Sequence, residues 1–185
     1  MPELIPRPVR LLRHPQSGAL PALDIEVEAT RRASVLALIY VIHGDPERVR
    51  LPTKLAPARA DGLWQHTCFE AFVRSANSVG YWEFNFSPSR QWAAYRFSGY
   101  REGMTPEAAV ASPRIEMQAD HSKFRLAVGL DLSDISEIAA SDDWQVALSA
   151  VVEDASGDKS YWASAHPPGR PDFHHPDSFA LHLPA

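Results

Sequence analysis

Apolar and aromatic residues recur at every second position through most of this chain, and that period restricts it to extended strands. In 123–131 (KFRLAVGLD), Phe124, Leu126, Val128 and Leu130 form one row opposite Lys123 and Arg125. In 144–153, Trp144, Val146, Leu148, Ala150 and Val152 do the same. Residues two apart share a face of a strand, so each row marks a face turned toward a core. With Gly, Pro, Asp and Ser clusters as punctuation, the pattern predicts strands near 23–29, 34–42, 66–74, 80–87, 91–98, 114–119, 123–131, 144–153, 159–163 and 178–183. Helix signals are short. Thr105-Pro106-Glu107 ahead of AAVA suits the opening of one turn, and 133–140 (SDISEIAA) suits another. About ten strands with one or two connector helices predict an all-β fold, an antiparallel, jelly-roll-like β-sandwich. The proline-rich stretch 165–177 (AHPPGRPDFHHPD) reads as an ordered loop before the last strand.

A chain of 185 residues suits one such domain, 1–185, and can bury a core without disulfides or metal. Cys68 is the single cysteine, which excludes an intramolecular disulfide and fits a reducing compartment. The net charge of -5, with cations scattered apart from Arg31-Arg32, argues against a nucleic-acid partner. No stretch approaches the roughly 20 apolar residues of a membrane-spanning helix, so no membrane partner is expected. The leading MPELIPRPVRLLRHP places proline and arginine where an export signal needs a continuous apolar segment. The expectation is a cytoplasmic protein, with export left open.

Three neighbouring runs carry the residues that bear on function. Alternation sets Trp82, Phe84 and Phe86 in the core, leaving Tyr81, Glu83, Asn85 and Ser87 on the other face. It sets Phe69, Ala71 and Val73 inward, opposite Trp64, His66, Cys68 and Glu70. In the third run Ala93, Tyr95 and Phe97 are expected inward, with Trp92, Ala94 and Arg96 outward. Paired in order, the three would gather Trp64, His66, Glu70, Glu83, Asn85, Trp92 and Arg96 on one surface. Indole faces stack on the apolar faces of a sugar ring, while carboxylates, amides and guanidinium groups take its hydroxyls. A Glu83–Arg96 cross-strand pair is also expected. A polar outer row is equally what any half-solvated sheet carries. Two exposed tryptophans on it favour contact with a ligand.

The segments DGLWQHTCFEAFVR and GYWEFNFSPSRQWAAYRF, with the ending SYWASAHPPGRPDFHHPDSFALHL, resemble the DOMON-like superfamily that includes the family-9 carbohydrate-binding modules. Those modules have a tryptophan six residues before a strand glutamate, matched by Trp64 and Glu70, and a second tryptophan near the close, matched by Trp162. The resemblance spans about 20–183 and implies a β-sandwich in which Trp64 and Trp162 flank a sugar while Glu70 accepts its hydroxyls. The family's arginine falls on either Arg90 or Arg96. Neither an attached catalytic domain nor an export signal is expected from this sequence, so a small or cell-wall-derived sugar suits it better than a polysaccharide.

Other chemistries have weaker signals. His166, His174, His175 and His182 cluster with Asp172 and Asp177, but at no familiar zinc spacing, so no metal is expected. Haem ligation, known in relatives of this fold, would draw on Met104, Met117 and His166, with His66 or His121 as substitutes. Met104 and Met117 have plainer readings as a turn and a packing residue. No nucleophile elbow, zinc-protease helix, phosphate loop or dinucleotide glycine pattern is present. Glu70 and Glu83 could form a glycosidase pair, though hydrogen-bonding contacts explain them better. The Cys68–His66 pair points one way without converging. The sequence therefore predicts a protein without catalysis or cofactor. Its expected role is to bind a small molecule, a carbohydrate first, through Trp64, Glu70, Glu83, Asn85, Arg96 and Trp162. A haem-carrying electron-transfer domain and a protein-interaction domain are the alternatives.

Overall fold

In the computed structural model, residues 8–17 and 23–185 are described. Of the leading MPELIPRPVRLLRHP, residues 1–7 lie outside the described residues. The first strands are β1 (Val9–Arg13), β2 (Asp24–Arg32), β3 (Val35–His43), β4 (Ala58–Arg59), β5 (Cys68–Ser75) and β6 (Tyr81–Phe86). They are followed by β7 (Gln91–Phe97), β8 (Thr105–Pro106), β9 (Arg114–Ala119) and β10 (Lys123–Asp131). After the single-turn helix α1 (Ser136–Ala139) come β11 (Asp143–Glu153), β12 (Lys159–Ala163) and β13 (Leu181–Pro184).

The protein is all-β. Its pairing runs in the order β4-β7-β6-β5-β11-β12-β1-β2-β3-β10-β9, with β13 added on β11 and β8 on β7. The sheet doubles over at β1: Val9–Leu11 pair with β2, whereas Leu12 and Arg13 pair with β12. Two layers result, sandwich-like, and their facing rows are the main core. Ile25, Val27, Leu36, Leu38 and Leu126 come from one layer, and Phe69, Phe84, Phe86, Val146 and Leu148 from the other. Phe69 stacks on Phe124 with ring centroids 5.9 Å apart, and the Tyr40 hydroxyl donates across the layers to the Glu70 carbonyl at 2.7 Å.

Several expectations need correction. The described residues form thirteen strands rather than about ten, because the short β1, β4 and β8 give too little alternation to read. β4 runs parallel to β7, so the sheet is mixed and not purely antiparallel. Thr105 and Pro106 open no helix; they lie along β7 opposite Arg96 and Tyr95. A proline is tolerated there because β8 is peripheral and pairs with β7 alone.

The largest correction concerns β7. Phe86 pairs with Trp92 and Phe84 with Ala94, so Trp92 and Ala94 join the main core. Ala93, Tyr95 and Phe97 stand on the opposite face in a second buried cluster with Phe72, Tyr81, Ala147 and Phe179. The expected facing is displaced by one residue, which exchanges the two faces of a strand.

Candidate functional site

That second face of β5, β6, β7, β11 and β12 is roofed rather than open. Leu63 from the 3-10 turn Leu63–Gln65, and Phe173 from the proline-rich segment, pack against its apolar cluster. Gly62 begins the 3-10 turn in the left-handed region at φ 73, where glycine meets no side-chain penalty. Between roof and sheet lies a cleft of about 610 Å³, within the size range of small-molecule sites. Trp64, Phe97, Tyr161, Phe173 and His174 form aromatic walls, and Glu70, Glu83, Arg101, Met104 and Lys159 also line it.

Strand register places the two carboxyls. Glu70 on β5 faces Asn85 on β6 and Ser149 on β11, and Glu83 lies two residues along β6 on the same face. Both line the cleft, yet Glu70 is only 3% exposed and Glu83 5%. The Ser149 hydroxyl donates to Glu70 Oε2 at 3.1 Å, and Asn85 Nδ2 donates to Glu83 Oε1 at 2.8 Å. Burial, and then the charge of Glu83, push the Glu70 carboxyl above its usual range. Burial also raises Glu83, against the opposing effects of Asn85 and the Arg101 charge.

A network from the roof reaches this pair. The Tyr81 hydroxyl accepts the Arg101 amide at 3.2 Å and bonds His174 Nδ1 at 2.8 Å. The other imidazole nitrogen, Nε2, lies 3.7 Å from Glu83 Oε2. Burial first, and the Arg101 charge second, lower His174 to about 4, so it is neutral at pH 7. The Arg101 guanidinium is held at 2.7 Å by Asp172, whose other oxygen takes the Tyr100 hydroxyl. Arg101 itself sits at φ 56, within the tight turn closed by the Gly99–Glu102 bridge.

Trp64, Glu70 and Glu83, expected together on one surface, all line this cleft. Asn85 shares their face but is fully buried beneath it, holding Glu83 and leaving its own Oδ1 without a partner among the described residues. Arg96 is corrected. It pairs in register with Trp82, lies over that indole at 5.3 Å and bonds Glu137 at 3.4 Å, so it shares no face with Glu83. Arg90 stands in the β6–β7 turn at φ 75, and the guanidinium that reaches the cleft is that of Arg101. Trp162 is corrected too. It is 4% exposed in the main core, its Nε1 donating to Ser160 at 2.8 Å, while its neighbour Tyr161 lines the cleft.

Sequence reasoning passed over Arg101, Tyr161 and Phe173, and it weighed His174 only as a metal ligand. Alternation within SYWAS separates Tyr161 from Trp162, a signal that was present; the roof residues lie in irregular loops where no period operates. Among the described residues, no three His, Cys, Asp or Glu side chains are grouped to hold a metal. His66 bonds the buried Glu153 at 2.7 Å, and Cys68 is buried with its thiol pushed well up by that burial. Met104 lies on the cleft wall, Met117 packs on the main core and His166 bonds the Leu12 carbonyl.

No family model matches the chain, and no curated protein matches it. Solved structures do. A candidate carbohydrate-binding protein from Bacteroides uniformis superposes with a TM-score of 0.70 at 13% identity, covering 96% of this chain and 84% of that one. A family-9 carbohydrate-binding module from Caldicellulosiruptor kristjanssonii, solved with glucose, superposes with a TM-score of 0.54 at 10% identity, covering 94% and 83%. The chain therefore has a fold like that of the family-9 carbohydrate-binding modules.

Proposed function

We propose that this protein binds a small carbohydrate, without catalysing a reaction on it, in the cleft between Trp64, Tyr161 and the Glu70–Glu83 floor. One observation carries the reading: two nearly buried carboxyls form the floor of an aromatic-walled cleft of about 610 Å³. Aromatic rings take the C–H faces of a pyranose, and each carboxyl accepts directional hydrogen bonds from its hydroxyls. Buried carboxyls that lack full protein partners gain most from a ligand that supplies donors. The fold shared with proteins described as carbohydrate-binding, one of them solved with glucose, supports the same reading. The family's expected pair of flanking tryptophans is replaced here by Trp64 with Tyr161 and Phe173.

Calorimetry against a panel of mono- and disaccharides tests it. At least one should bind at a single site and raise the thermal midpoint. A panel in which none binds at millimolar concentration refutes the proposal.

A further inference from the structure

We infer that the cleft selects sugars carrying a primary ammonium group over their neutral parents, with the cation seated against Glu70 and Glu83. This rests on the carbohydrate reading above and names the class of sugar.

A pair of nearly buried carboxyls on the cleft floor, of which Glu70 has no cation partner among the described residues, points to that class. Glu83 is the diagonal cross-strand neighbour of Glu70, a relation that sets side chains about 7 Å apart at Cβ. Each lines the cleft while being almost wholly buried. Among the described residues, every nearby cation is engaged or distant. Arg101 is bound to Asp172, and its charge acts on Glu83 but is not among those that act on Glu70. His174 bonds Tyr81 through Nδ1 and carries no charge at pH 7. Lys159 lines the same cleft, but its backbone stands opposite Glu153 in the β11–β12 register, four residues along β11 from the Ser149 that faces Glu70. Four residues of strand are about 13 Å at the backbone, and no ion pair among the described residues joins Lys159 to either carboxyl. Glu153 in turn holds Arg50 at 2.9 Å and His66 at 2.7 Å. The remaining titratable neighbours, Tyr81, Tyr95 and Cys68, bring no positive charge, and Tyr95 donates to Asp61 at 2.6 Å.

Glu70 is therefore left with one hydrogen bond, from Ser149 to Oε2, and its Oε1 has no donor among the described residues. The pair avoids holding two negative charges by keeping a proton, since burial raises both carboxyls and the charge of Glu83 raises Glu70 further. An ammonium offers three donors and the missing charge together. Hydrogen bonds between ions are roughly twice as strong as neutral ones. The ring faces of Trp64, Phe97, Tyr161 and Phe173 attract a cation as well as sugar C–H groups. A neutral sugar supplies hydroxyl donors only and leaves the proton in place.

The test titrates the protein with matched pairs: glucose and glucosamine, galactose and galactosamine, mannose and mannosamine. For at least one pair the amino sugar should bind at least about tenfold more tightly at pH 7, equivalent to about 1.4 kcal/mol. Repeating that titration in buffers of different ionisation enthalpy should show close to one proton released per ligand bound. Amino-sugar affinity should rise from pH 5 to pH 7 while that of the neutral parent does not. In Glu83→Gln, the two affinities should converge to within about threefold. If neutral sugars bind and their amino counterparts are no tighter and release no proton, the inference fails and the carbohydrate reading stands. If no member of any pair binds, both fail together.

Discussion

Replacing Glu70 by glutamine should stabilise the protein at alkaline pH, although it alters a residue of the proposed site. The amide keeps the shape of the carboxyl, and its oxygen can still accept from Ser149 Oγ, 3.1 Å away in the parent. What it removes is a charge that is 3% exposed and has no cation partner among the described residues. The folded protein holds this carboxyl above the ordinary carboxylate range, through burial and then the charge of Glu83. A raised carboxyl binds protons more tightly in the folded than in the unfolded chain. Its contribution is therefore fully present below the ordinary carboxyl value and is lost as pH rises through the raised one. A rise from the ordinary 4.5 to about 8 corresponds to at most about 4–5 kcal/mol, reduced by whatever Glu83 relaxes once its neighbour is neutral. The expected gain for Glu70→Gln is thus about 2–4 kcal/mol at pH 9, falling to near zero at pH 4. With a urea slope of about 2 kcal/mol per molar, the midpoint should rise by about 1–2 M at pH 9. Equilibrium urea unfolding of parent and variant at pH 4, 7 and 9 measures this. A variant no more stable than the parent at pH 9 would refute the charge assignment.

Acid should act on His174 in the opposite sense. Its folded value of about 4, lowered from 6.5, means stability that is present above pH 6.5 and lost as pH falls toward 4, amounting to about 2 kcal/mol at pH 5. Urea unfolding of His174→Gln at pH 5 and 7 should lack this component; an unchanged pH dependence would point to another group. Gly103→Ala should cost about 1–3 kcal/mol, since its φ is 63 and an added Cβ would collide with Ser98 Oγ. Adding Ser98→Ala should recover the steric part and leave the backbone part, again by unfolding. Trp162→Ala should cost about 3–5 kcal/mol as a core truncation, and a loss below about 1 kcal/mol would contradict its placement.

Fold class was legible because strands such as β9, β10 and β12 occupy the ranges their alternation predicts. The inward rows of β10 and β11, and the Glu70 and Glu83 face of β5 and β6, also follow from period two. Alternation failed on β7 for a physical reason. Its outer face is covered by Phe179, Leu63 and Phe173, so Tyr95 and Phe97 are as apolar as the core row they oppose. A strand buried on both faces has no contrast from which to read direction. Arg96 was drawn into the site by that slip, because a one-residue shift moves every side chain of the strand. Trp162 was drawn in by family resemblance, and here the aromatic that lines the cleft is the preceding residue. The cleft itself was not legible: its roof comes from residues 61–66 and 165–179, whose folding back depends on tertiary contacts. Pairs such as Tyr81–His174 and Arg101–Asp172 span 93 and 71 residues, and no local pattern announces them.

A sugar seated between Trp64, Tyr161 and the two carboxyls, with Trp162 serving the core instead, requires the two tryptophans to part company in a binding measurement. Calorimetry on the parent, Trp64→Ala and Trp162→Phe, with the saccharide that binds the parent most tightly, separates them. Loss of an aromatic anchor costs at least about 2 kcal/mol, so Trp64→Ala should weaken binding by at least about 30-fold. Its folding stability should change little, because Trp64 is 37% exposed at the cleft wall. Trp162→Phe should bind within about threefold of the parent despite a lower unfolding midpoint. Parent-like binding by Trp64→Ala, or a loss of about 30-fold in Trp162→Phe, would contradict this placement of the sugar.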